Sequence, residues 1–152
     1  MTPDYFHAMG IRLLSGRTFT DADTADTPLV GIVNQAMAQR YWPGEDPLGH
    51  RIHLMDGSPS EAAPITIVGV VDNVRQMEVT AEGRSQYYLP FAQRPWSECV
   101  LLVRSGVESA GLATAVRREI RKVDEELALS ELQTMEDHVA ASLDSPRFHT
   151  IL

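Results

Sequence analysis

The chain has 152 residues, of which 43% are apolar and 22% charged, and a formal charge of −8. This is a folding, globular composition with room for one domain or two small subdomains sharing a core, and it excludes a disordered chain. The acidic balance argues against nucleic acid, whose phosphates need a basic surface. No apolar run approaches the roughly 20 residues that cross a bilayer. The opening MTPDYFHAMG lacks the basic and apolar regions of a signal peptide, so an exported domain would take its signal or anchor from outside these residues. The single cysteine, Cys99, excludes an internal disulfide and a cysteine-based zinc site. At the head of the run CVLLV it reads as a buried, inert thiol.

In chain order, Thr2-Pro3-Asp4 predicts a helix start with Thr2 as cap and Pro3 in the first turn. Tyr5, Phe6 and Met9 supply its apolar face and Gly10 its stop. Thr20 with Asp23 three residues on predicts a capped turn. The loop holding Asp21, Asp23 and Asp26 lacks the glycine and terminal glutamate of an EF-hand, so these acids read as solvated, helix-capping groups. Residues 29–33 predict a buried strand, and Asn34 then caps a helix presenting Met37, Ala38 and Tyr41 on one face. A turn rich in proline and glycine, residues 42–49, delivers the chain into a strand at 51–54.

Residues 55–64 predict a hairpin-like loop. Next comes ITIVGVV, residues 65–71, whose β-branched density predicts a central strand covered on both faces. Gly69 marks a bulge or a close backbone approach in it. Residues 86–91 predict a strand ended by Pro90, which has no amide hydrogen for a ladder. A further strand is predicted at 98–104, ECVLLVR. The clearest helix is 108–123: Leu112, Val116, Ile120 and Val123 repeat at helical spacing, while Arg117, Arg118, Arg121 and Lys122 face outward or lie near its C-terminal end. Residues 127–132 alternate as a strand, and Thr134 with Asp137 caps a last helix carrying Met135, Val139 and Leu143. The strand, helix, strand order from 98 to 132 has the length of a split crossover, which predicts an α+β fold with helices layered on a sheet.

Chemistry is hard to find in these residues. His50 and His53, three apart in a predicted strand, point to opposite faces and cannot share an ion without distortion. His7, His138 and His149 read as surface or structural. No HExxH, nucleophile elbow or phosphate-cradling GxxxxGK[ST] occurs in the sequence. The acids of Glu45-Asp46, Asp124-Glu125-Glu126 and Glu136-Asp137 fall at turns and helix starts, where solvation and capping account for them. No residue is assigned to catalysis, a cofactor or a metal. What remains is a set of aromatics near prolines, Tyr41, Trp42, Tyr87, Tyr88, Phe91 and Trp96, of a kind that forms packed corners or partner surfaces. Tyr41, Trp42, Tyr87, Phe91 and Trp96 are the candidate interface or structural corner.

The order of several motifs resembles a known family. The series runs Asp4-Tyr5-Phe6, Met9-Gly10-Ile11, Gly16-Arg17, Phe19-Thr20 and Val33-Asn34, then Arg40-Tyr41-Trp42-Pro43-Gly44-Glu45-Asp46-Pro47-Leu48-Gly49 and Ile67-Val68-Gly69-Val70-Val71. It is similar to the extracytoplasmic domain of MacB-like ABC transporter permeases. Tyr88-Leu89-Pro90-Phe91 and Ser145-Pro146-Arg147-Phe148 fit the large-permease branch of acidobacterial type. The resemblance implies a small β-rich, Sabre-like subdomain with an N-terminal helix over residues 1–92 and a porter-like βαβα segment over 93–145. Residues 146–152 would begin the connection to a membrane helix.

The same resemblance implies an inner-membrane protein with this domain on the periplasmic side, no active site and no cofactor. Its work would be mechanotransmission, the coupling of cytoplasmic ATP hydrolysis to outer-domain movement for export of antibiotics, peptide toxins or lipoproteins. Its partners would be a second permease protomer and the transmembrane helices, a cytoplasmic ATPase subunit or domain, and a periplasmic adaptor. Two other readings stand beside it. One is a small soluble α+β enzyme, hydrolase-like, with a carboxylate or histidine in a cleft; the other is a free-standing peptide- or lipid-binding module whose pocket is the aromatic cluster.

Overall fold

In the computed structural model the described residues are 1–54, 63–74, 84–95, 99–106, 109–125 and 132–144. They fall into two units, Met1–Val103 and Arg104–Leu152.

Unit 1 is built on a five-stranded sheet. Helix α1 (Tyr5–Ala8) precedes strand β1 (Leu13–Gly16); then come β2 (Val30–Asn34), α2 (Gln35–Tyr41), β3 (Arg51–Ile52), β4 (Ile65–Val71) and β5 (Tyr87–Tyr88). The order across the sheet is β1-β4-β2-β5. Strands β2 and β4 are parallel, a pairing that requires a crossover, and α2 supplies it. The other pairings, of β1 and β3 with β4 and of β5 with β2, are antiparallel.

Every residue of β2 is buried, because both faces of the sheet are covered and side chains alternate between them. One face packs Phe6, Phe19, Val30, Ile32, Val71 and Tyr88, with Tyr5, Ile11 and Val68 partly buried against them. The other packs Val33, Ala38, Ile67 and Val70, bordered by Met37, Trp42, Leu48 and Ile52. The sequence neighbours Ile32 and Val33 thus serve opposite cores, as do Val70 and Val71.

Gly69 combines both features that the sequence suggested for it. Gly31 faces Ile67 and Ile32 faces Gly69, so Val68 is the extra residue of a bulge. A side chain at Gly69 would overlap the backbone carbonyl of Arg17.

Several expectations are corrected. Helix α1 begins after Asp4, not Thr2: the Thr2 carbonyl, not its hydroxyl, accepts the Tyr5 amide at 3.2 Å. The strand expected at 51–54 stops after Ile52, and that at 86–91 covers only Tyr87–Tyr88. No strand forms at 99–104, where Val100 is 88% exposed and Cys99 is an exposed free thiol. A β-branched run is stable as strand only when it gains cross-strand neighbours, and the described residues provide none there. The loop at 55–64 lies mostly outside the described residues, as do residues 127–131 of the strand expected before Leu132.

Unit 2 holds α3 (Ser109–Val123) and α4 (Met135–Asp144). Along α3, Leu112, Val116 and Ile120 are half-buried, whereas Val123 is exposed and does not join that face. Glu119 receives Lys122 at 2.8 Å and Arg118 at 3.3 Å on the solvated side. The lysine's hydrogen bonds, then the arginine's, hold the Glu119 carboxyl below its ordinary pKa. At α4 the expected cap is present: the Asp137 amide donates to Thr134 Oγ1 at 3.1 Å, and that hydroxyl donates to Asp137 Oδ2 at 2.7 Å.

Candidate interface and structural corner

The corner starts at the cap of α2. Asn34 is buried, and its Oδ1 accepts the Met37 amide at 3.0 Å and the Gln86 amide at 2.9 Å, while Nδ2 donates to the Arg84 carbonyl at 2.8 Å. One side chain therefore satisfies a first-turn donor that the helix leaves unpaired and ties the strand end to the segment leading into β5. Asn73, just beyond β4, accepts the Ala36 amide at 2.9 Å. This second cap, 37 residues away in sequence, has no local spacing that would reveal it.

Helix α2 ends at Tyr41, and the Trp42 amide still donates to the Ala38 carbonyl at 2.9 Å. The chain then bends twice. Gly44 and Gly49 each take a φ of +79°, a conformation that costs other residues about 1 kcal/mol or more. Between them the Asp46 carboxylate accepts the Leu48 amide at 3.0 Å and Pro47 is buried, a side-chain turn of the kind aspartate forms. The Gly49 amide donates to the Ile67 carbonyl at 2.8 Å, and the Ile67 amide to the His50 carbonyl at 2.9 Å. The bend is thereby bonded to the central strand before β3 begins.

Trp42 and Leu48 pack on the second core from this bend. The Trp42 ring lies 6.0 Å from Tyr41 and 5.6 Å from His50, and the Arg40 guanidinium sits 5.7 Å from the Tyr41 ring centroid. His50 belongs to the turn, not to a strand, so the opposed-face geometry expected for His50 and His53 does not arise. Tyr41 is 57% exposed and does not share the buried face of Ala38.

The other aromatics separate. Tyr88 lies inside the first core, edge-on to Phe6 at 5.1 Å, and burial pushes its hydroxyl pKa up to about 12. Tyr87 and Phe91 are exposed, and among the described residues the ring contacts join neither to Tyr41 or Trp42. Trp96 lies outside the described residues. The five candidates thus contain one partly buried packing residue, Trp42, and three exposed rings that make no ring contact with one another among the described residues.

The acidic loop is not a solvated one throughout. Asp23 is buried and receives both terminal nitrogens of Arg17 at 2.8 Å, together with the Thr20 amide at 2.8 Å. These bonds, Arg17's foremost, hold its carboxyl below the ordinary range against the opposing effect of burial. No helix follows the Thr20 turn; its acid closes the turn itself.

A groove of about 290 Å³ borders Met9, Arg12, Asp72 and Asn73. Arg12 and Asp72 meet across it at 3.3 Å, both well exposed, and a pair in that setting contributes about 0–1 kcal/mol. Among the described residues no three histidine, cysteine or acidic side chains are grouped to hold a metal ion, and no buried side-chain nitrogen or oxygen is unpaired.

The profile of the MacB-like periplasmic core domain matches residues 1–121. The chain is 31% identical over 87 residues to YknZ, an ABC transporter permease of Bacillus subtilis, an alignment covering 57% of this chain and 20% of that protein. Among solved structures, the periplasmic region of MacB from Actinobacillus actinomycetemcomitans aligns with a TM-score of 0.60 at 14% identity, over 95% of this chain and 64% of that one. The extracellular domain of YknZ aligns at 27% identity with a TM-score of 0.43, over 59% of this chain and 40% of that one. The chain therefore spans about a fifth of the YknZ permease and under two thirds of the solved MacB region. With the family's profile running through all of unit 1 and most of α3, the chain belongs to the MacB-like periplasmic core domain family of ABC transporter permeases.

Proposed function

We propose that this chain is a non-catalytic, outward-facing domain of an inner-membrane permease, and that it carries the conformational change driven by cytoplasmic ATP hydrolysis into the periplasm for export. The observation that carries this reading is the family match over residues 1–121. The chemistry of the interior is in keeping with it: among the described residues, the buried polar side chains Asp23 and Asn34 are both committed to structural hydrogen bonds.

In this reading the bend from Trp42 to Gly49 is the rigid corner that fixes how α2 feeds the sheet. The exposed rings of Tyr41, Tyr87 and Phe91, together with Trp96, form contact surface for other parts of the assembly. Its partners are a second permease protomer, the transmembrane helices, a cytoplasmic ATPase and a periplasmic adaptor.

The test uses the full permease and its ATPase in lipid vesicles, with spin labels on the outward-facing domains of the two protomers. Their separation is expected to differ between the nucleotide-free state and the state trapped with ATP and vanadate. An unchanged separation in an ATPase-active preparation would overturn the proposal.

A further inference from the structure

The ladder between β2 and β5 stops early. Asn34 donates its amide to the Gln86 carbonyl at 3.0 Å, and Ile32 faces Tyr88. By alternation the Val30 amide points to the same side. The residue it would meet next is Pro90, after which the chain turns, with the Gln93 and Arg94 amides donating to the Pro90 carbonyl at 3.2 and 3.1 Å. The Val30 amide is instead accepted by the side-chain oxygen of Gln93 at 3.0 Å.

The other end of that side chain is equally engaged. Gln93 Nε2 lies 3.2 Å from the Thr24 carbonyl, 3.1 Å from Thr27 Oγ1 and 3.1 Å from the Pro28 carbonyl. A side-chain amide offers one carbonyl oxygen and two N–H donors. Here it stands in for a peptide group, extending the ladder by one rung and gripping the loop before β2. On the far side of the same segment, the Met1 backbone nitrogen donates to the Leu89 carbonyl at 2.7 Å, and the Phe91 amide donates to the Met1 carbonyl at 2.8 Å. Residues 89–94 are therefore held between residue 1 and residues 24–30.

We propose that Gln93 is a positioning residue, the clamp that makes the segment 89–94, the 24–28 loop and the first rung of β2 move as one piece. This rests on the mechanotransmission reading, in which the sheet of unit 1 relays motion and segments bonded to its edge move with it. Gln93 touches no substrate; it acts through the Val30 amide and the 24–28 loop.

The experiment compares amide hydrogen exchange in the full permease, reconstituted with its ATPase, for wild type and Gln93→Met. Methionine keeps the length and removes every side-chain hydrogen bond of residue 93. Val30 is expected to exchange about tenfold faster, as for loss of one protecting bond, while Ile32 and Asn34 stay protected. The ATP-driven difference in exchange at residues 89–94 is expected to shrink several-fold with ATP turnover retained, a readout that a merely structural role would not move.

Gln93→Glu keeps the acceptor for Val30 but sets a carboxylate against the Thr24 and Pro28 carbonyls, so it should free the loop and not Val30. Should Gln93→Met not fold, Thr27→Val removes one Nε2 partner together with the hydroxyl's own bond to the Thr24 carbonyl at 2.8 Å and should speed exchange in the loop about tenfold while Val30 stays protected. Unchanged protection at Val30 in Gln93→Met overturns the clamp, and so does an intact ATP-driven difference once Val30 is deprotected. A wild-type permease with no ATP-driven difference anywhere in unit 1 overturns the transmission reading instead, and the Val30 comparison then still decides the clamp.

Discussion

Gly69→Ala tests the fold where it is most crowded. The glycine sits on β4 between Gly16 of β1 and Ile32 of β2, and its φ is not positive, so alanine meets no dihedral penalty. The added Cβ would overlap the Arg17 carbonyl oxygen and lie 3.3 Å from Ile32 Cγ1. The obstacle is backbone, which cannot rotate aside. Relief requires β1 to retreat, at the expense of the Arg17 amide bond to the Val68 carbonyl, now 2.9 Å. Overpacking of about 1–3 kcal/mol and a lost hydrogen bond of about 1 kcal/mol oppose a gain of about 0.4–1 kcal/mol from the stiffer unfolded chain. The net is a loss of about 1–3.5 kcal/mol. Gly44→Ala is the control: its φ is +79° and a Cβ there meets nothing within 4 Å, so a dihedral penalty of about 1–2 kcal/mol, less the same unfolded-chain gain, leaves a loss of about 0–1.5 kcal/mol. Urea unfolding of the two variants, with unchanged m-values, separates the terms. If Gly69→Ala proves no less stable than Gly44→Ala, the close approach of β1 to β4 is wrong.

Asn34→Ala should cost about 2–3 kcal/mol, more than a simple cap, since it strips partners from the Met37 and Gln86 amides and the Arg84 carbonyl together; a thermal shift no larger than that of an exposed substitution would refute this. Trp42→Ala should cost about 2 kcal/mol, below the range for a fully buried tryptophan, and Tyr41→Ala under about 0.5 kcal/mol, because only Trp42 is packed on the core. Equal losses by denaturant titration would deny the corner its role. Asp23 makes stability acid-sensitive. Its native carboxyl is depressed below the unfolded value, chiefly by Arg17, so its contribution is fully present above a pH of about 4 and is lost as pH falls through the native pKa. Asp23→Asn should flatten that acid limb in pH-dependent unfolding; an unaltered slope would assign it to other groups.

Much of unit 1 was legible because local rules and tertiary packing agree there. Asn34 ends a β-branched strand and opens a helix, and ITIVGVV is apolar at every position but Thr66 and Gly69, which suits a strand covered on both sides. Asp23 shows the limit. Its spacing to Thr20 announced a closed turn, but its burial depends on Arg17 folding back across six residues, and no periodicity encodes that. The run ECVLLVR misled for a related reason: strand propensity measures fit to a pleated neighbour, and Cys99–Val103 meet none among the described residues. Asn73 and Gln93 were missed because a side-chain amide serving a distant backbone leaves no local trace.

The aromatic set shows how grouping in sequence and grouping in space part company. Tyr87 and Tyr88 are adjacent, so the pleat sends one outward and the other into the core. Tyr41 and Trp42 are adjacent at a helix end, where one residue's step of about 100° likewise separates an exposed ring from a packed one. Tyr87 faces Val33, just before the start of α2, whereas Tyr41 ends that helix. Seven residues at 1.5 Å each make a helix about 10 Å long between the strand end that Tyr87 faces and Tyr41. A partner touching both must span α2, and at that separation their contributions to binding should add independently.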